Sequence, residues 1–179
     1  MEFTPCENSI VMNKMTDEIL IQKAKMKNPD AFTELMTSQM QSMYRTAKAI
    51  LMNDEDVADA IQDTLLICWE KLNELKVNQY FRTWMTKILI HNCYGIIRSN
   101  RRITYTDKLP ESVSEENPSN LEWQEALSSI DEKYRIVLIL FYAEGFRTKE
   151  IAKILGLTDS TVRTRLSRGR EQLTTYYMP

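Results

Sequence analysis

The stretch that most constrains this chain is Thr148 to Leu173, TKEIAKILGLTDSTVRTRLSRGREQL. A helical pattern runs from Lys149 to Leu155 and puts Ile151, Ala152, Ile154 and Leu155 on one side. Thr148 stands where an N-cap belongs, and Gly156 where a helix stops. A second helix is expected after Thr158, another capping residue, with Val162, Leu166 and Leu173 near one face. Two short helices joined by a turn containing glycine form a helix-turn-helix pattern. The outer faces of the second helix carry Ser160, Arg163, Thr164, Ser167 and Arg168. The run from Thr161 to Arg170 holds four arginines and no acid. Arginine can pair with guanine, hydroxyls adapt to either base, and positive charge attracts phosphate, so such a helix suits the DNA major groove. A solvated helix on an ordinary bundle could share the arginines. It would not need the ordered series of cap, glycine turn, second cap and basic run.

The rest of the composition agrees with a helical protein. With 4 Gly and 5 Pro in 179 residues, and 43% hydrophobic against 27% charged residues, the chain is expected to be globular and helix-rich. The net charge of -2 is at odds with DNA binding until its distribution is read. Asp54 to Glu74 carries seven acids and one lysine, whereas Arg82 to Arg102 carries five basic residues and no acid. That polarity predicts two partners on two surfaces. Cys6, Cys68 and Cys93 show no metal-ligand spacing, and buried free thiols are expected at Cys68 and Cys93. A cytoplasmic protein is expected, since no apolar run reaches membrane-spanning length and no signal-peptide pattern opens the chain.

The expected fold class is all-α, with two small helical domains joined by a flexible linker, the C-terminal one a helix-turn-helix. Residues 1–14 read as a loose tail and 15–102 as the first domain. A helix capped by Thr16 should turn Ile19, Leu20 and Ala24 inward. Asn28-Pro29-Asp30 ends it and caps the next, where Phe32, Leu35, Met36, Met40, Met43, Tyr44 and Ala47 recur at helical spacing as core. A third, acidic helix opens at Asn53-Asp54 and buries Val57, Ile61, Leu65, Cys68 and Leu72. Its other face carries Asp59, Gln62, Asp63, Leu66 and Glu70. One leucine among carboxylates suits a polar interface, but alone the pattern favours a solvated acidic face.

After a short polar connection, Asn73 to Gln79, comes Tyr80 to Arg102. There Phe81, Trp84, Ile88 and Ile96 follow a helical period, and Arg82, Lys87, Arg98, Arg101 and Arg102 supply charge. Aromatics interleaved with basic residues suit an unpaired strand, on whose bases the rings stack. At least one of Phe81 and Trp84 is expected in the core instead. Residues 103–118 lose all period, gain Pro110 and Pro118, and read as the linker. The second domain, 119–179, starts with a helix capped by Ser119 that holds Leu121, Trp123, Ala126, Leu127 and Ile130. A second, opened by Asp131, holds Tyr134, Val137, Leu138, Leu140 and Phe141 and is closed by Gly145. No catalytic constellation, phosphate loop or ligand cluster is legible, and His91, the only histidine, reads as an ordinary helix residue. The expectation is a non-enzyme with no cofactor, no metal and no small-molecule substrate.

The order of DVADAIQDTLLICWEKL, YFRTWMTKIL with its basic end, a linker, and EKYRIVLILFYAEGFRTKEIAKILGLTDSTVRTRLSRGR resembles bacterial RNA polymerase sigma factors of the small extracytoplasmic-function group. The likeness runs from about Thr16 to the end. It implies core RNA polymerase and promoter DNA as partners, with Asp59, Gln62, Asp63, Leu66 and Glu70 gripping the polymerase clamp. It implies minus-ten contacts by Asn78, Tyr80, Phe81, Trp84, Lys87 and Arg98. Housekeeping members carry two aromatics where this chain has Trp84-Met85, which implies capture of a flipped base by the Asn73–Gln79 loop instead of melting by paired rings. For the minus-thirty-five element it implies base contacts by Arg163, Thr164 and Ser167, with Ser160 on the same helix. Thr148, Arg165 and Arg168 would touch phosphates. An anti-sigma protein, membrane-anchored in many members, is a further implied partner. Two other readings remain open at this point. One is a helix-turn-helix regulator with a helical sensing or dimerisation domain, and the other a polymerase-binding adaptor that never reads DNA.

Overall fold

The computed structural model describes residues 17–103, 127 and 129–177, and all regular structure among them is helical. The expected tail, Cys6, the Thr16 cap, the join from 104 to 118 and the Ser119 helix with Leu121, Trp123 and Ala126 lie outside the described residues.

Helix α1 covers 17–25 and buries Leu20, Ile21 and Ala24. Ile19, expected inside, is 51% exposed. At 3.6 residues per turn it lies about 200° around the helix from Ile21, on the far side from the core. Lys27 turns left-handed, and Asn28 then accepts the Ala31 N–H at 2.9 Å on its side-chain oxygen. Pro29 opens α2 (Pro29–Leu51), at a position whose N–H would lack a helical partner anyway. Leu35, Met36, Met43 and Ala47 are buried, whereas Met40 and Tyr44 of the expected stripe are exposed at 39% and 37%. Buried positions on α2 also include Thr46, Ala49 and Ile50, so the helix is covered on a broad band that runs past Met40 and Tyr44.

Asn53 caps α3 (Asp54–Lys71) by accepting the Glu55 N–H, and three acids in the first turn complement the helix dipole. Val57, Ala60, Ile61, Thr64 and Cys68 face inward. Thr64 is the one polar rung of that stripe. Its hydroxyl donates to the Ala60 carbonyl at 2.6 Å and accepts the Asn92 amide at 3.0 Å, so its burial is compensated. Asn92 belongs to α4 (Phe81–Ile103), which α3 reaches through two short 3-10 turns, Leu72–Glu74 and Asn78–Tyr80. Cys68 and Cys93 are fully buried free thiols, and burial pushes each up to about 12.

Helix α5 (Glu132–Leu138) continues into a single π turn, Ile139–Ala143. Gly145 then takes a φ of 70°. Helix α6 (Thr148–Leu155) starts one residue earlier than its pattern suggested, so Thr148 is its first residue and not its cap. Arg147 is the N-cap, and its N–H donates to the Glu150 carboxylate at 2.8 Å. Gly156 ends α6 at φ 66°, and Thr158 caps α7 (Asp159–Tyr177) by accepting the Thr161 N–H. Gly169 brings α7 onto α5, since a Cβ there would meet the Leu138 side chain at 3.0 Å.

The two helical groups touch. Helix α5 packs on α2 and α6 packs on α4, and the buried apolar side chains run on as one core through both groups. Arg135 is buried at the seam. Its Nε donates to the Ala49 carbonyl at 2.6 Å, near the C-terminal end of α2, and its Nη1 donates to the carbonyls of Leu127 and Ile130. A cation at a helix C-terminus is favoured by the dipole as well as by these acceptors.

Phe81 is 3% exposed and part of the core, whereas its neighbour Tyr80 is 51% exposed. Phe81→Ala should therefore cost about 3–5 kcal/mol in urea denaturation. Tyr80→Ala should stay within about 0.5 kcal/mol of the parent. Equal small effects at both positions would remove Phe81 from the core.

Candidate functional site

Three surfaces carry the residues singled out by sequence. The first is the outer face of α3. Asp59, Gln62, Asp63 and Glu70 are all exposed, and Leu66 is 56% exposed among them. The helical period that buries Val57, Ile61 and Cys68 leaves these positions to solvent. The face is thus a row of carboxylates around one large apolar side chain, the pattern of a polar interface with a small hydrophobic centre.

The second surface is the turn before α4 and the first part of that helix. Lys25 of α1 reaches across to it, and its ammonium donates to the Leu75 carbonyl at 2.6 Å and to the Asn78 side-chain oxygen at 2.7 Å. Leu75 is buried beneath the turn, while Lys76 and Val77 point outward. Beside it stand the exposed Tyr80 ring and the half-buried Trp84 ring, and Lys87 and Arg98 are exposed farther along α4. Phe81, expected to face a strand, packs inward with its ring centroid 6.3 Å from that of Trp84. Arg82 is also taken out of the basic row: it bonds to Glu144 and lies over the Phe146 ring at 4.8 Å. Arg101 and Arg102 lie on α4, and only their backbone is described.

The third surface is α7. Ser160, Arg163, Thr164, Ser167 and Arg168 are exposed and Arg165 is half-buried, while Val162 and Leu166 face the core. Arg163 pairs with Asp159 one turn earlier. The nearby Thr148 hydroxyl and the Arg163 guanidinium hold the Asp159 carboxyl below its usual range.

A cleft of about 360 Å³ opens beside α7, lined by Lys133, Tyr134, Ser160, Thr161, Thr164, Arg165 and Arg168. Lys133, Tyr134 and Thr161 were not singled out from the sequence. Tyr134 read as core, and its ring is buried, yet it shares the cleft with Arg168. The closeness of the two groups draws the tyrosine pKa down and raises that of Arg168. No spacing rule links position 134 to 168, because the contact is made by packing α5 on α7. Three cations and several hydroxyls around one opening fit phosphate oxygens. Among the described residues, no group of His, Cys, Asp and Glu could hold a metal ion, and no helix is long and apolar enough to cross a membrane.

Comparison with known proteins adds to this geometry. Residues 35–103 match sigma-70 region 2, and residues 120–173 match sigma-70 region 4. The chain is 27% identical over 150 residues to the RNA polymerase sigma factor SigV of Bacillus subtilis strain 168, covering 82% of this chain and 90% of that protein. It is 24% identical over 172 residues to the ECF RNA polymerase sigma factor SigW of the same strain, covering 86% and 92%. The fold is similar to that of the sigma factor RpoE from Bartonella quintana, solved in complex with the anti-sigma factor NepR. There the TM-score is 0.72 at 24% identity, over 80% of this chain and 94% of that one.

Different outcomes are expected for two exposed arginines of α7. Arg163, exposed near the start of the helix, should read a base edge, so Arg163→Ala should cost about 1–3 kcal/mol and relax preference at one or two base pairs. Arg168→Ala should weaken all sequences alike and lower the salt slope of binding by about 1. A uniform loss across a library of duplex variants for Arg163→Ala would remove its base-reading role.

Proposed function

The chain belongs to the sigma-70 family of bacterial RNA polymerase sigma factors, in the extracytoplasmic-function group, and we propose that its three exposed surfaces divide the work of initiation between them. It binds core RNA polymerase, directs it to specific promoters and promotes opening of the DNA. The α3 face, with Asp59, Gln62, Asp63 and Glu70 around Leu66, takes the polymerase clamp. The observation that carries this is the exposure of all five together on one side of a helix whose other side is core. Solvent-facing carboxylates alone would leave a large apolar side chain such as Leu66 without a purpose in the row.

The upstream element falls to α7, where Arg163, Thr164 and Ser167 face bases. Arg165 and Arg168 bind phosphates, joined by Lys133 across the cleft. The downstream element falls to the turn between α3 and α4. Stacking on one ring yields about 1–3 kcal/mol per base, and each stacked step of duplex costs about 1.4 kcal/mol on average. With Phe81 in the core, Trp84 and Tyr80 alone cannot open several base pairs by stacking. Capture of a flipped base by the turn supplies the rest, and Lys25 keeps that turn in shape through Leu75 and Asn78. Lys87 and Arg98 hold the strand backbone. A sequestering protein partner of the anti-sigma kind is part of the same proposal, supported by the fold shared with a factor solved in such a complex.

Two experiments test these assignments. Asp59→Arg with Asp63→Arg should abolish pull-down of core polymerase while helicity stays at the parent level. Capture of core enzyme at the parent level by the folded double variant would refute the clamp assignment. For the turn, Val77→Gly with Asn78→Ser keeps the buried Leu75 in place. Abortive initiation should fall far more on a duplex promoter than on one with a pre-opened bubble. Equal loss on both templates would assign the turn to structure or to polymerase binding.

A further inference from the structure

The polarity of the turn between α3 and α4 is set by a residue outside it. Lys25 is the last residue of α1, 50 and 53 positions before the two groups it holds. Its ammonium donates to the Leu75 carbonyl at 2.6 Å and to the Asn78 side-chain oxygen at 2.7 Å, short bonds of the charge-assisted kind. An ammonium has donors and no acceptor, so only an oxygen can face it. A side-chain amide ordinarily has a choice, since it carries an acceptor oxygen and a donor N–H2 group and can turn over. Here the cation removes that choice, because turning Asn78 over would set N–H2 against the ammonium. Both side chains are half-buried, so water screens the pair only in part. Nor can the cation follow a swing of Asn78: its other bond is to the backbone of Leu75, whose own side chain is buried. The N–H2 group is the end that Asn78 offers to a ligand.

The four bases differ in what they ask of such a group. A flipped base is read on the edge that it no longer pairs. Adenine has no carbonyl. Asparagine recognises it through two bonds, one of which brings an amine hydrogen of the base to the amide oxygen. In this turn that hydrogen would approach an oxygen already held by a cation, and like charge opposes it. Cytosine, thymine and guanine each carry a carbonyl oxygen, which accepts from N–H2 with no use of the Asn78 oxygen. From Leu75 to Asn78 the chain holds no other side-chain acceptor, and the exposed Lys76 adds a further donor.

We propose that Lys25 is a positioning residue for base selection. By holding the Asn78 oxygen, it makes the turn a donor site that takes a flipped base bearing a carbonyl and rejects adenine. Lys25 touches no base itself and acts through Asn78; its role rests on the capture of a flipped base by this turn.

The test uses holoenzyme assembled from the full chain and core RNA polymerase. The probe is a library of promoter duplexes whose non-template strand is left unpaired and randomised across the minus-ten segment, and the bound fraction is sequenced. With the parent, one position should return adenine about tenfold less often than the carbonyl bases, the scale of one lost base-edge contact. Asn78→Asp keeps an oxygen for Lys25 but has no N–H2, and should remove the adenine penalty at that position. Lys25→Met keeps an unbranched stem and removes the cation. It should bring adenine there to parity or above, changing the order of the bases. A merely structural role for Lys25 would lower all four bases alike. In an Asn78→Ala background, Lys25→Met should leave the order unchanged, because the two residues act as one unit. Helicity should stay at the parent level throughout, since both positions are partly exposed. A folded Lys25→Met protein with the parent's order of bases would overturn the role of Lys25, as would an Asn78→Asp protein that still rejects adenine. A parent that selects adenine at the position sensitive to Asn78 would also overturn it, while leaving base capture in place. A parent holoenzyme that prefers no base at any unpaired position would overturn base capture and the role of Lys25 together.

Discussion

The relation between the two halves of the molecule rests on a charge that cannot stand alone. Glu144 loses its water on folding, and Ser42, Arg45 and Arg82 replace it, residues 62 to 102 positions away in the chain. Arg135, buried a few residues earlier, is in the mirror position: a cation whose acceptors include a carbonyl near the end of α2. Both groups are polar anchors set in an apolar seam of Ile139, Leu140 and Phe146. Apolar contact is indifferent to small rotations, but hydrogen bonds to a carboxylate are not. The ionic pair of anchors therefore fixes the angle at which the halves meet, while the shared core supplies the greater part of the attraction.

The same economy of positions explains how one short helix serves two ends. On α3 the inward stripe of Val57, Ala60, Ile61, Thr64 and Cys68 builds the core of the first group, and the outward stripe of Asp59, Gln62, Asp63, Leu66 and Glu70 is left free. Helical period alone makes that division possible, because neighbouring residues lie 100° apart on the helix. On α7 the division is sharper still. Val162 and Leu166 are almost wholly buried, while Arg163 and Thr164 between them stand in solvent. Gly169 belongs to the core side, where only a missing side chain lets α7 lie close to Leu138.

Charge that looks alike in sequence separates by use in three dimensions. Of the basic residues on α4, Arg82 is bound to Glu144, whereas Lys87 and Arg98 stand in solvent. Of the arginines on α7, Arg163 leans on Asp159 and Arg168 on the Tyr134 hydroxyl. A residue already paired within the molecule has to exchange that partner to meet DNA, so these contacts set what each arginine gains on binding.

Much of this was legible in the residues themselves. Caps at Asn28, Asn53 and Thr158, the stop at Gly156 and the stripes of α3 and α7 follow from local rules, and local rules operate before any tertiary contact exists. The acidic face and the basic helix were legible for the same reason: their meaning lies in which residues share a side. Tertiary structure decided the rest. Phe81 and Trp84 obey one period, yet the first is core and the second half-exposed, because only packing says how far around α4 the core extends. Ile19 and Met40 miss the core on the same ground. The bond of Lys25 to the turn, the contact of Tyr134 with Arg168 and the enclosure of Glu144 join residues 34 to 102 positions apart, and no spacing in the chain encodes them. Sequence determined the elements and their chemistry, since those depend on neighbours within a few turns. The relative placement of the two halves depends on which buried charge finds its partners, and that was settled only when the chain closed on itself.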